Sequence, residues 1–180
     1  MKVAETAISG VLVLEIEPLA DDRGFFARTW DRSALAVRGL TADLDQVSIG
    51  YNEAAGTLRG LHVQAPPGEE AKTVRCTAGA IYDVAVDLRD GSPTRLSWVG
   101  VELTAINRRS LYVPEGCAHG YITLADRTEV LYQISVPYRA ELARGYRWDD
   151  PAFGIAWPVP IRRLSARDAS LPYTPAAGAQ

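Results

Sequence analysis

The stretch AIYDVAVDL at 80–88 decides the reading of this chain. Ile81, Asp83, Ala85 and Asp87 alternate with Tyr82, Val84, Val86 and Leu88. That period of two belongs to a β-strand with one apolar face and one mixed face. Working outward, 73–77, 96–103, 110–113, 121–124 and 129–135 repeat the pattern. Turn-forming runs separate them: AGA at 78–80, DGSP at 90–93, PEG at 114–116 and ADR at 125–127. Short strands spaced about ten residues apart predict an antiparallel sandwich or barrel. Helix is sparse. The run 31–37 begins on the capping residue Asp31 and can stop at Gly39, and 165–169 can form one turn with Ser165 as N-cap.

Length and composition agree with this. The chain has 180 residues, 47% apolar and 23% charged, which suits one globular domain over 1–180 with a frayed tail at 172–180. Nineteen basic residues face twenty-two acidic ones, for a formal charge of −3, and no basic block is present. Nucleic acid and anionic membrane are therefore not the expected partners. No apolar run approaches the roughly 18 residues of a membrane span, and the start MKVAETAISG carries no secretory pattern. Cys76 and Cys117 are too few for a disulfide framework, which favours a reducing cytoplasm; each reads as a small apolar packing residue.

Chemistry concentrates around the two histidines, His62 in TLRGLH and His119 in PEGCAHGY. A lone histidine is more often a satisfied core or surface group. Here Arg59 and His62 flank a glycine, where backbone can approach a ligand closely, and Lys72 and Arg75 share the next strand. Asp83 and Asp87 lie on the mixed face of 80–88. Two readings follow: a small barrel with a polar cavity for an anionic ligand, or charges on a solvated sheet face. A metal site is the first competitor. Metal-binding barrels commonly place two histidines one residue apart, whereas Val63 and Gln64 follow His62, so no metal is expected. Phosphate-cradling glycine loops, GxSxG and CxxC are absent from the sequence.

The chain resembles the dTDP-4-dehydrorhamnose 3,5-epimerase family of nucleotide-sugar epimerases. The resemblance rests on DDRGFFARTW (21–30), the run from GTLRGLH to DGSPT (56–94), LYVPEGCAHGYITLADRTEVLYQISVPY (111–138), ARGYRWDDPAFGIAWP (143–158) and LSARD (164–168). It implies a cupin-like jelly roll without metal or cofactor, and a homodimer exchanging N-terminal strands. It also implies inversion of carbons beside the ketone of a nucleoside-diphosphate 4-keto-6-deoxyhexose. By the same resemblance His62 is the base, Asp168 its orienting carboxylate, Lys72 the cation beside the C4 oxygen, and Tyr132 the acid on the opposite face. Arg23, Arg59 and Arg167 match phosphate and sugar contacts. Phe26, Gln46 and His119 match substrate contacts, and Tyr138 matches the ring that stacks on the nucleobase. Without the resemblance, Tyr132 would read as an ordinary strand tyrosine.

Three departures fall around the substrate rim. Arg28 stands where many members carry an acidic residue, Ala143 where many carry Glu, and Gln46-Val47-Ser48 replaces a QDN- or QVN-like run. The stretch 46–56 is also about one residue longer than the common pattern. The four reacting residues are intact, so the resemblance implies the chemistry. It leaves open dTDP against CDP, and 3-, 5- or 3,5-epimerisation.

Overall fold

A computed structural model describes residues 1–175. The strands are β1 (Lys2–Glu5), β2 (Leu12–Glu15), β3 (Leu19–Asp21), β4 (Gly24–Phe26), β5 (Gln46–Asn52), β6 (Thr57–Gln64), β7 (Lys72–Ala78), β8 (Ala80–Asp87), β9 (Trp98–Thr104), β10 (Ser110–Val113), β11 (Cys117–Thr123), β12 (Thr128–Ile134), β13 (Ala143–Gly145) and β14 (Arg163–Leu164). Two short helices complete it, α1 (Arg32–Ala36) and α2 (Ala166–Ala169). Asp31 caps α1 and Ser165 caps α2, each side chain accepting a backbone N–H three residues on. Among the described residues no helix is long and apolar enough to cross a membrane.

One sheet runs β1-β2-β10-β7-β12-β5 and the other β13-β6-β11-β8-β9, with β14 parallel to β6. Every other pairing is antiparallel. The sheets pack face to face as a cupin-like jelly roll. Between them lie Val11, Val74, Ile81, Ala85, Leu103, Leu111, Val113 and Val130, each fully removed from solvent. A buried Val, Leu or Ile contributes about 1.5–3 kcal/mol, so this layer is the main source of stability.

The 80–88 stretch departs from the expectation of a solvated mixed face. β8 is central, and both its faces are covered. Ile81 and Ala85 point into the space between the sheets, while Val84 and Val86 pack under Phe153, Tyr146, Ile155 and Trp157. Asp83 and Asp87 are therefore interior, at 0% exposure. Asp87 is fully engaged by Arg89, Ser92 and Thr94, and this shell holds its carboxyl below the ordinary range although burial alone would raise it. Asp83 belongs to the cavity. Within the expected tail, Pro172 accepts from Arg147 N, and Thr174 bonds Asp150 through N and Oγ1; its last five positions, 176–180, lie outside the described residues.

Two glycines set the geometry where the site forms. Gly60 on β6 has φ +130°, and a Cβ there would lie 2.6 Å from Gly120 Cα. A Cβ on Gly120 would lie 2.9 Å from Arg59 O. Only two residues without side chains let β6 and β11 approach this closely. The contact brings His62 into register opposite His119, with a bulge between His119 and Tyr121.

Candidate active site

A cavity of about 290 Å³ opens at one end of the barrel. Four strands supply most of its lining. β6 supplies Arg59 and His62, β7 supplies Lys72, β11 supplies His119 and Tyr121, and β12 supplies Tyr132. Tyr138, Ala143, Arg144 and Arg167 form the rim. His62, Lys72, Tyr132, Arg59, His119, Tyr138 and Arg167 thus converge from residues 59 to 167.

His62 Nε2 lies 2.7 Å from Asp168 Oδ1. Asp168 is 4% exposed, and Gly60 N–H donates to its other oxygen. Burial acts to raise the Asp168 pKa, but the bond and charge of His62 and the Gly60 donor outweigh it, so the carboxyl stays below its usual range. An anionic carboxylate on Nε2 fixes a proton there and leaves Nδ1 as the free basic nitrogen. The imidazole is 40% exposed toward the cavity, whereas its partner is sealed. That is the geometry of a braced general base.

The second histidine is a different object. His119 Nε2 lies 2.7 Å from Asp83 Oδ1, and both residues are buried. Asp83 Oδ2 has no partner among the described residues. Burial raises the Asp83 pKa against the opposing pull of His119 and Lys72. Lys72 Nζ is paired with Glu70 Oε1 at 2.5 Å, and the two side chains are only 7% and 11% exposed. Burial drives the Tyr132 phenol pKa well above its usual value, helped by Tyr121 and Asp83. Tyr132 is therefore neutral at physiological pH, on a strand of the sheet facing that of His62.

Arg59 is held from behind. Its Nε donates to Asn52 Oδ1 (2.8 Å) and its Nη2 to Tyr51 O (3.0 Å). Three of a guanidinium's five N–H groups are left for a ligand. With Arg167 nearby, the cavity mouth is cationic and suited to paired phosphate oxygens.

Not every implied residue meets the cavity in the way the resemblance implies. Gln46 does not line it; its Oε1 accepts from Tyr138 N (3.1 Å), so Gln46 holds the rim segment that carries Tyr138. Arg23 and Phe26 sit on the β3–β4 hairpin away from this cavity. Arg23 is 85% exposed and pairs with Asp21 in its own turn, and Phe26 is 72% exposed. Arg28, one of the rim departures, pairs with Asp31 at the start of α1. Sequence reasoning missed Glu70, Asn52 and Tyr121. Glu70 had a signal, since residues two apart on an extended chain share a face and Glu70 precedes Lys72 by two.

A sequence profile of dTDP-4-dehydrorhamnose 3,5-epimerases matches residues 5–175. The chain belongs to the dTDP-4-dehydrorhamnose 3,5-epimerase family. A family member from Sinorhizobium fredii is 43% identical over 171 residues, covering 92% of this chain and 86% of the relative. A crystal structure of the Bacillus anthracis epimerase, with TDP and PPi bound, superimposes with a TM-score of 0.91 at 42% identity, covering 96% of this chain and 98% of that one. The Legionella pneumophila epimerase, solved with dTDP-4-keto-L-rhamnose, gives a TM-score of 0.88 at 32% identity, covering 96% and 92%. This family member thus carries its His–Asp pair, lysine and tyrosine around one cavity.

Proposed function

We propose that this protein is a cofactor-independent epimerase. It inverts C3 and C5 of a dTDP-linked 4-keto-6-deoxyhexose by proton abstraction and reprotonation next to the C4 ketone. The observation that carries the reading is the His62–Asp168 pair at 2.7 Å, opening onto a cavity that also holds Lys72 and Tyr132. A C–H beside a ketone is acidic only because its charge spreads onto the carbonyl oxygen. His62 Nδ1 takes that proton, and Asp168 stabilises the resulting imidazolium. The Lys72 ammonium steadies the enolate oxygen; a preorganised donor of this kind is worth about 10²–10³ in rate. Tyr132 returns a proton to carbon from the opposite face.

Arg59 and Arg167 bind the diphosphate, His119 contacts the sugar, and Tyr138 stacks on the nucleobase. The enzyme works as a cytoplasmic homodimer in which the β3–β4 hairpin of each copy brings Arg23 and Phe26 to the other's cavity. Two observations support this last part. The hairpin presents both side chains to solvent, and the outer face of the edge strand β5 exposes Val47, Ile49 and Tyr51 at 56%, 63% and 50%, an apolar stripe that suits a covered interface. Incubation with dTDP-4-keto-6-deoxyglucose in heavy water tests the reading. Deuterium is expected at C3 and C5 of the product by NMR. Unlabelled, unchanged sugar after many enzyme equivalents would overturn it.

A further inference from the structure

We propose that Gln64 is a positioning residue for the nucleobase. Its buried side-chain amide, together with that of Gln46, holds the backbone on both sides of Tyr138 and fixes where that ring stands at the cavity mouth. The inference rests on the reading of Tyr138 as the ring that stacks on the base.

β12 ends at Ile134, and its ladder ends with it. The chain then crosses the mouth as Ser135-Val136-Pro137-Tyr138-Arg139. Ser135 is still tied to its neighbour: its N–H donates to Ala71 O, and its hydroxyl accepts from Ala71 N. Beyond it no strand runs alongside. Pro137 has no N–H to offer. Among the described residues the N–H groups of Tyr138 and Arg139 find no backbone acceptor. Both go to glutamine side chains instead. Tyr138 N donates to Gln46 Oε1 at 3.1 Å, and Arg139 N donates to Gln64 Oε1 at 2.6 Å.

Gln64 ends β6, two residues beyond His62, and is 2% exposed. Its partners fix the orientation of its amide. A backbone N–H only donates and a backbone carbonyl only accepts, so Oε1 faces Arg139 and Nε2 faces the carbonyls. Nε2 donates to Gly68 O at 2.8 Å and reaches Pro137 O at 3.4 Å. One side chain thus bonds on both sides of Tyr138 and ties this segment to the 65–68 turn. All its side-chain bonds go to the backbone of these two loops, and none to His62, Lys72, Tyr132 or Asp168.

The consequence falls on binding. Tyr138 is 56% exposed, so its position is set by its backbone more than by packing. A ring already in place when the base arrives need not be ordered on binding, and ordering subtracts from affinity. His62, Lys72 and Tyr132 sit on strands, so the clamp acts on the nucleotide and not on proton transfer. Without the Gln64 amide, the Arg139 N–H and the carbonyl of buried Gly68 must turn to water, and the segment is free to move with them.

The test uses the full-length enzyme. Calorimetry gives dTDP affinity, solvent exchange with dTDP-4-keto-6-deoxyglucose in heavy water gives KM and kcat, and a melting curve checks the fold. Gln64→Leu keeps much of the bulk and removes all three bonds. It should weaken dTDP about tenfold and raise KM by a like factor, with kcat within about threefold. Gln46→Leu removes one bond to the same segment and should weaken dTDP about two- to fivefold. In a Tyr138→Ala background neither change should add more than about twofold. If Gln64→Leu weakens dTDP equally in both backgrounds, leaves it unchanged, or lowers kcat while KM holds, Gln64 does not act through Tyr138 and the inference is overturned. If Gln64→Leu does not fold, the Gln46→Leu and Tyr138→Ala cycle decides by the same rule. If Tyr138→Ala binds dTDP as tightly as wild type, the stacking reading falls and the clamp with it, while deuterium uptake by the wild type leaves the epimerase reading standing.

Discussion

Replacing Asp168 by Asn removes one charge from behind the base and little else. The side chain is 4% exposed, its Oδ1 lies 2.7 Å from His62 Nε2, and Asn has nearly the same volume. Two losses follow. The hydrogen bond from imidazolium to carboxylate is charge-assisted and worth about 1.5–3 kcal/mol, or roughly 10- to 150-fold in rate. The amide also offers N–H as readily as C=O. When its N–H faces Nε2, the ring carries its proton on Nδ1 and the nitrogen facing the cavity is no longer basic. In a hydrolase triad this combined effect reaches ~10⁴ in kcat. We therefore expect kcat for solvent exchange to fall between about 10²- and 10⁴-fold, with KM nearly unchanged because Asp168 is sealed from the ligand. The assay is initial-rate loss of the substrate C–H signal by NMR in heavy water, with a melting curve to confirm the fold. Exchange within a few-fold of wild type would refute the assignment of Asp168 as the group that orients His62.

Gly60→Ala forces a Cβ to 2.6 Å from Gly120 Cα at φ +130°; strain and overpacking together predict a loss of at least about 2 kcal/mol, read as a fall in Tm of about 5 °C or more. An unchanged Tm would contradict the close approach of β6 and β11. Glu70→Ala frees Lys72 from its buried partner and should lower kcat about tenfold, whereas Glu70→Gln keeps an acceptor and should recover most of it; equal rates for the two variants would remove Glu70 from the positioning of Lys72. Asp83 titrates above the ordinary carboxylate value of about 3.9 because it is buried. Between those two values the unfolded chain is ionised while the native one is protonated, so this group makes stability fall as pH rises through that window. Asp83→Asn should flatten that part of the Tm–pH curve, and an identical slope would count against the burial argument.

The fold was largely legible because alternation is a local signal. β10 falls on 110–113 as read, and β8 ends one residue short of 88. Coverage of the far side of β8 was not legible, since Phe153 and Trp157 reach Val84 and Val86 from a segment with little regular structure, whose destination no periodicity encodes. His62 and Lys72 stood out in the sequence itself, whereas their roles, and the selection of Tyr132 and Asp168, came from the resemblance. Their meeting depends on register between strands distant in sequence, and on two glycines at one crossing. Asn52 and Tyr121 were invisible for the same reason, since a buried polar group is meaningful only once its partner is known. Gln46 shows the reverse case: the residue was noticed, but its amide is used to hold the backbone of Tyr138.

The most direct measurement is deuterium uptake at the carbons beside the ketone by His62→Ala, with circular dichroism and Tm showing an intact fold. His62 as the base predicts uptake reduced by several orders of magnitude at both carbons, with nucleotide binding retained. Uptake at the wild-type rate in a folded His62→Ala protein would mean that another group takes the proton.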